Sequence, residues 1–320
     1  MTTASKDIRP PELSAPDHEV AVIGAGPGGI AAGVKLKRAG VRDFVLLERA
    51  DQVGGSWHEN HYPGLEVDIP SLAYQYSFAR NPNWSRLFAS GAEVKRYHMA
   101  VARRFGLYPH IRFGTTVVSE EWDEDRHRWM LHLDTGEVTT ARFVISAVGA
   151  FISPKTDPGI PGLTLYQGTI QRPSDWDDDY DLTGKRVAII GTGASPVQIT
   201  PSIADAVGSL VGPYSWTGSG WHAFVEMTAD HAVRAISEAR RRGATFVAIR
   251  QDVHDAYHRR VYRRGAAMRY YLAELNAHVP TYYRNSQGDG SYIRPTGFFS
   301  AQRAHRHFPF ADYEFERLPA

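Results

Sequence analysis

At 320 residues the chain is long enough for about two domains and for a core that hides about three quarters of its unfolded surface. Lys and Arg total 36 against 35 Asp and Glu, a net charge of +1, so charge directs it neither to nucleic acid nor to an anionic membrane. It contains no cysteine, which excludes disulfides, thiol nucleophiles, Cys-ligated zinc or iron–sulfur clusters, and any transfer of electrons to a dithiol of its own.

Residues 1–17 are polar and carry prolines without an apolar signal core, and read as a disordered leader on a cytoplasmic protein. Residues 19–23 (EVAVI) form an apolar run ahead of glycines, the pattern of a buried parallel strand. A helix is expected over 30–38, closed by Gly40, and a second strand over 41–48, which completes a βαβ unit. An amphipathic helix is expected at 92–105, then short strands at 111–113, 115–119, 128–133 and 142–148, with a turn signal at 134–137. A Pro- and Asp-rich stretch, 154–181, reads as a connection between lobes. Residues 185–193 (KRVAIIGTG) then repeat the opening pattern as a strand and glycine turn, followed by a helix to about Val207. Helices are expected at 221–242 and 252–277. The longest apolar stretch, 143–152, is about half a membrane span.

The opening glycines, Gly24-x-Gly26-x-x-Gly29, with Pro27 and Gly28 between them, stand between a strand and a helix, the context that makes such a spacing a dinucleotide fingerprint. Gly24 permits the tight turn, Gly26 admits a pyrophosphate to the backbone, and Gly29 lets helix and strand pack closely. The helix start offers free N–H groups and partial positive charge to the anion. Glu48, ending the second strand, is placed to accept hydrogen bonds from a ribose. Gly55, Ser56 and Trp57 follow soon after and suit phosphate or ribityl contact. The second copy, Gly191-Thr192-Gly193-Ala194-Ser195-Pro196, has proline where glycine or alanine is usual and no acidic or basic ribose reader beyond it. Nucleotide binding and a purely structural role both remain open there. Ser195, followed by Pro196, lacks a nucleophile-elbow pattern.

Other candidates have plainer readings. His58 and His61 lie in a loop without a carboxylate pattern for metal. His305 and His307 look solvent-facing. The runs 240–242 and 259–264 are arginine-rich and read as solvated helix faces, and Trp122, Trp129 and Trp176 as packing.

Taken together, the first glycine turn, Glu48, and the blocks GGSWHENHYPGLEVDIPSLAYQYSF (54–78), TTVVSEEWDE (115–124) and ARFVISAVGAFISPK (141–155) resemble Baeyer–Villiger-type flavin-dependent monooxygenases, within the flavin-containing monooxygenase superfamily. The resemblance runs from about residue 18 to 207, and 209–315 is similar to that family's C-terminal end. Relative to such proteins a large central segment is absent between Ala206 and Leu210, and with it an arginine beside the flavin whose partner aspartate matches Asp68. The inter-lobe signature reads Tyr166-x-Gly168-x-x-x-Arg172-x-x-x-Trp176-Asp177, with Arg172 where the family has histidine.

The resemblance implies an α/β fold. It would consist of a Rossmann-like FAD-binding domain with inserted β-strands at 18–165, a linker and reduced second βα unit for NADPH at 166–208, and a C-terminal helical region, 209–320, packed on the first domain. It implies FAD held by Gly24, Gly26, Pro27, Gly28, Gly29, Glu48, Gly55, Ser56, Trp57, Asp68, Tyr74 and Val117, and NADPH at Gly191, Thr192, Gly193, Ala194 and Ser195. The implied activity is NADPH-linked oxygenation of a ketone or soft heteroatom by molecular oxygen through a flavin C4a-peroxide, with Asp68 as a catalytic candidate. Arg172, from its unusual identity at the signature position and its place in the inter-lobe connection, is a second candidate, a cation in place of the absent arginine. Asp68 could equally be a turn-capping carboxylate. The alternatives are an FAD-binding protein without complete oxygenase activity, or an NAD(P)H oxidase that leaks peroxide. No nucleic-acid or membrane partner is implied.

Overall fold

The computed structural model describes residues 15–149, 162–190, 194–205, 221–264, 266, 270, 274, 303–304 and 306–317. The leader at 1–14, Gly191–Gly193 and the 206–220 segment lie outside these residues.

Strand β1 (His18–Ile23) is central, buried from Val20 onward. It pairs in parallel with β2 (Phe44–Leu47) on one side and β6 (Val138–Ser146) on the other. Covered on both faces, it is a near-continuous apolar run rather than an alternating one. The six-stranded sheet has the order β3-β2-β1-β6-β5-β4, where β3 is Ile111–Arg112, β4 Val117–Asp123 and β5 Arg128–Leu133. The last three strands in chain order form an antiparallel meander, the inserted strands, joined to the parallel part through β6. This is an α/β fold of the Rossmann-like kind. From β1 the chain crosses through helix α1 (Pro27–Arg38) to β2, while β6 lies on β1's opposite flank. The carboxyl ends of β1 and β6 therefore flank a topological switch point, where open α/β sheets leave a crevice.

Helix α1 begins with Pro27 in its first turn, three residues ahead of the expected start, and ends in Lys35, Lys37 and Arg38, whose charges complement the helix dipole. A four-residue helix α2 (Ser56–Glu59) follows β2, and α3 (Gly91–Arg104) is capped by Ser90, whose side chain accepts from the Glu93 amide. Helix α5 (Trp221–Arg242) lies on α1: Ala229, Val233, Ile236 and Ala239 share one core with Ile30 and Val34. Lys35 pairs with Asp230 at 2.6 Å and Arg240 with Glu19 at 2.9 Å. Arg240, exposed as the sequence suggests, still reaches Glu19 near the start of β1 and so ties α5 to that strand. Strands β7 (Phe246–Ile249) and β8 (Tyr313–Glu316) form a separate antiparallel pair, with the Phe246 ring against Trp122 and His127. Helix α6 (Gln251–Arg264) buries no residue, and the remainder of the helix expected to 277 falls mostly outside the described residues.

One expectation is corrected. Residues 185–190, which read as a strand, join no ladder, and Ile190 is 73% exposed. A strand exists only when a neighbour accepts its backbone hydrogen bonds, and among the described residues none lies beside this run. The helix that follows does form, α4 (Ala194–Ile203), and sets Ile199 and Ile203 against Tyr62, Leu65, Trp176 and Leu182.

Candidate functional site

The crevice at the ends of β1 and β6 is built from bare backbone. Gly24 has φ +98° and receives its neighbours from two strands: its amide donates to the Leu47 carbonyl (2.8 Å), and a Cβ on it would stand 2.8 Å from the Ala147 carbonyl oxygen. A Cβ on Gly29 would lie 1.9 Å from the Gly24 carbonyl oxygen, so the first turn of α1 can sit on β1 only because position 29 has no side chain. Both glycines are required by the protein itself. Gly26 differs: its φ of −69° suits any residue, and a Cβ there would meet the Gly55 Cα at 3.4 Å, an ordinary contact. Here glycine serves to leave the turn unclothed.

Gly26 caps α1 with no side-chain hydrogen bond, and the first turn holds no acidic residue. Pro27 has no amide hydrogen, and Ile30 already donates to the Gly26 carbonyl at 3.0 Å. The amides of Gly28 and Gly29 therefore stand outside the helical ladder at the positive end of the dipole, the arrangement that attracts a phosphate. Tyr76 fixes this turn from the other side: fully buried, it donates its hydroxyl to the Pro27 carbonyl at 2.7 Å.

Glu48, 5% exposed, has a task that sequence reasoning missed. Its carboxylate accepts from the Ala25 amide at 2.6 Å and the Ala50 amide at 2.9 Å, so it holds the glycine turn against the end of β2. A carboxylate has about four acceptor positions; the amides take one on each oxygen, and acceptor capacity for a ribose hydroxyl remains on both. The donors and acceptors of this crevice fit a dinucleotide: bare amides for the diphosphate, a fixed carboxylate for the sugar.

Gly55 abuts Gly26 and opens α2 at Ser56, whose carbonyl takes hydrogen bonds from Asn60. Trp57 donates from Nε1 to the Tyr74 hydroxyl at 2.9 Å, with the rings edge to face at 5.5 Å. Burial pushes the Tyr74 phenol above the ordinary tyrosine range; the Trp57 bond opposes the shift and the Asp68 carboxylate adds to it. Asp68 is exposed and its charge also reaches Tyr62. Val117 starts β4 and packs on the sheet face formed by Ala21, Ile23, Val45 and Leu47. Gly24, Gly26, Gly28, Gly29, Glu48 and Gly55 thus converge, with Trp57 and Tyr74 adjoining them. Arg172 lies in a tight turn bridged to Asp175, and no ion pair links it to Asp68 among the described residues. Ala194 and Ser195 begin α4, while Gly191, Thr192 and Gly193 lie outside the described residues.

His58 pairs with Asp51 at 2.7 Å and His61 with Asp178 at 2.8 Å. Among the described residues there is no group of three metal-ligating side chains, and no helix is long and apolar enough to cross a membrane.

A glycine turn locked by an acidic strand end at a sheet's switch point defines a dinucleotide-binding α/β protein. Residues 21–211 match the profile of the pyridine nucleotide-disulphide oxidoreductase family, and the chain belongs to it. With no cysteine, this member carries no dithiol of its own. It is 49% identical over 191 residues to a Baeyer-Villiger monooxygenase of Streptomyces coelicolor, covering 60% of this chain and 36% of that protein. A Baeyer-Villiger monooxygenase of Pseudomonas aeruginosa is 38% identical over 202 residues, covering 63% and 38%. A solved structure of OTEMO in complex with FAD and NADP is 36% identical with a TM-score of 0.56, covering 61% of this chain and 38% of that one. An open structure of cyclohexanone monooxygenase gives 35% and 0.56, covering 63% and 40%. The chain spans little more than a third of the length of the curated relatives named here.

Proposed function

We propose that the chain is the FAD-holding part of a flavin-dependent, NADPH-linked monooxygenase acting on a ketone or soft heteroatom with molecular oxygen, in the cytoplasm. The observation that carries this is the Glu48-locked glycine turn with its two unladdered amides, in a sequence 49% identical over 191 residues to a named Baeyer-Villiger monooxygenase. In this reading the Gly28 and Gly29 amides hold the diphosphate and Glu48 takes the ribose. Tyr74, a phenol that burial raises still further, remains a donor at neutral pH. The bound flavin would supply hydride acceptance and oxygen activation. Asp68 and Arg172 are assigned to the reacting side, Arg172 as the cation that steadies developing negative charge. Ala194 and Ser195, with the glycines before them, would receive NADPH.

The run 185–190, which joins no ladder among the described residues, favours a second reading, in which flavin is held but reduction by NADPH is impaired. The purified protein separates the two. The first reading expects yellow protein that bleaches with NADPH in the absence of oxygen. Yellow protein that does not bleach selects the second, and colourless protein that stays colourless with added FAD overturns both. Oxygen consumed without matching product would identify a leaking oxidase. Gly26→Ala should fold normally, since its Cβ meets only ordinary contact, yet bind FAD about tenfold or more weakly, the effect of displacing one charge-assisted hydrogen bond.

A further inference from the structure

Helix α4 does not simply rest on the first nucleotide unit; it is clamped there by one buried phenol. Tyr62 is 7% exposed. Its hydroxyl donates to Gln198 Oε1 at 3.0 Å and accepts from Ser195 Oγ at 3.2 Å. Gln198 uses the other end of its amide on the Glu66 carbonyl at 2.8 Å. Between those two anchors Gly64 has φ +77°, and a Cβ on it would stand 2.1 Å from Ser202 Oγ and 2.3 Å from the Gln198 carbonyl oxygen. The helix comes down onto backbone that no side chain could cover. A phenol is protonated at neutral pH, and burial only raises Tyr62 further, so its hydroxyl is free to donate.

The same stretch of chain reaches the first crevice. Gly55 touches Gly26, α2 runs from Ser56 to Glu59, and Tyr62 follows three residues on. Six residues separate the Gly55 turn that would hold a diphosphate from Tyr62, whose hydroxyl holds Ser195, and four of those six are fixed in α2. We propose that Tyr62 is a positioning residue: through Gln198 and Ser195 it carries the ordering of the Gly26–Gly55 turns to the start of α4. Occupancy of the first crevice then steadies the element that would receive the nicotinamide nucleotide. This deepens the functional reading and rests on it. By linkage the effect is mutual, each nucleotide tightening the other by the same factor.

The test uses the full chain, with FAD and after FAD removal, as wild type, Tyr62→Phe, Gln198→Leu and the double variant. Amide hydrogen exchange across 197–203 should slow when FAD binds to the wild type. In Tyr62→Phe that FAD-dependent slowing should be lost and α4 should exchange about three- to tenfold faster, the worth of one hydrogen bond, while flavin stays bound. NADP+ should bind the FAD-loaded Tyr62→Phe protein weaker by a similar factor. The double variant should be no worse than either single one, since both break the same link. A purely structural role would speed exchange equally with and without FAD, and that result overturns the coupling. So does a flavin-bound Tyr62→Phe protein indistinguishable from wild type. A wild-type chain that takes up no FAD overturns the functional reading, and the coupling with it.

Discussion

At the residue scale the crevice is governed by who bonds to whom rather than by residue type alone. Glu48 would be an ordinary strand-end carboxylate if Ala25 did not donate to it at 2.6 Å. His98 shows the opposite case, a titratable group with a packing task. It is fully buried against the rings of Tyr76 and Tyr97, and burial pulls its pKa from 6.5 down to about 3. The native imidazole stays neutral while the unfolded one protonates below 6.5, so its contribution is complete above that pH and is lost as pH falls toward 3. Each pH unit in that window costs about 1.4 kcal/mol. Urea unfolding at pH 7 and pH 5 should show the wild type losing about 2 kcal/mol more than His98→Phe between the two conditions. An equal loss in both proteins would remove His98 as the cause.

At the element scale, β1, its turn and α1 were legible because each local signal agrees with its neighbours: apolar run, tight glycine spacing, then a helix whose last turn is basic. The same pattern at 185–190 misled, because β-structure is a property of a pair and the sequence shows only one member. Helix α4 was readable because its hydrogen bonds are internal. Its seat was not: nothing in the spacing of Tyr62, Gly64 and Gln198 announces contact across more than 130 residues. The consequence is measurable. Ile203→Ala, inside the α4 seat, should cost about 2–4 kcal/mol in urea unfolding. Ile190→Ala, 73% exposed, should cost less than about 0.5 kcal/mol. A large cost at Ile190 would mean that some other surface covers it.

At the scale of the whole molecule, α5 returns to the first unit and completes its core over α1, aided by the Lys35–Asp230 and Arg240–Glu19 pairs. Helix α4 buries only Ile199, Thr200 and Ile203. That is too little apolar surface for an independent domain. We therefore expect one cooperative body, with the boundaries near 165 and 208 marking sequence changes and not separable folds. Limited proteolysis should cut without releasing a stable fragment from the second unit; a folded fragment beginning near 166 would contradict this.

The amino-acid order alone determined the βαβ opening, the glycine turn and Glu48 as its acidic companion, because those features arise from neighbours within about thirty residues. Only the tertiary structure decided that Glu48 grips the turn, that Tyr62 grips α4, and that 185–190 joins no ladder among the described residues. The Glu48 bond to Ala25 spans only 23 residues and the Tyr62 bond to Gln198 spans 136, but neither can be read from spacing, because a hydrogen bond or a strand exists only when both members meet.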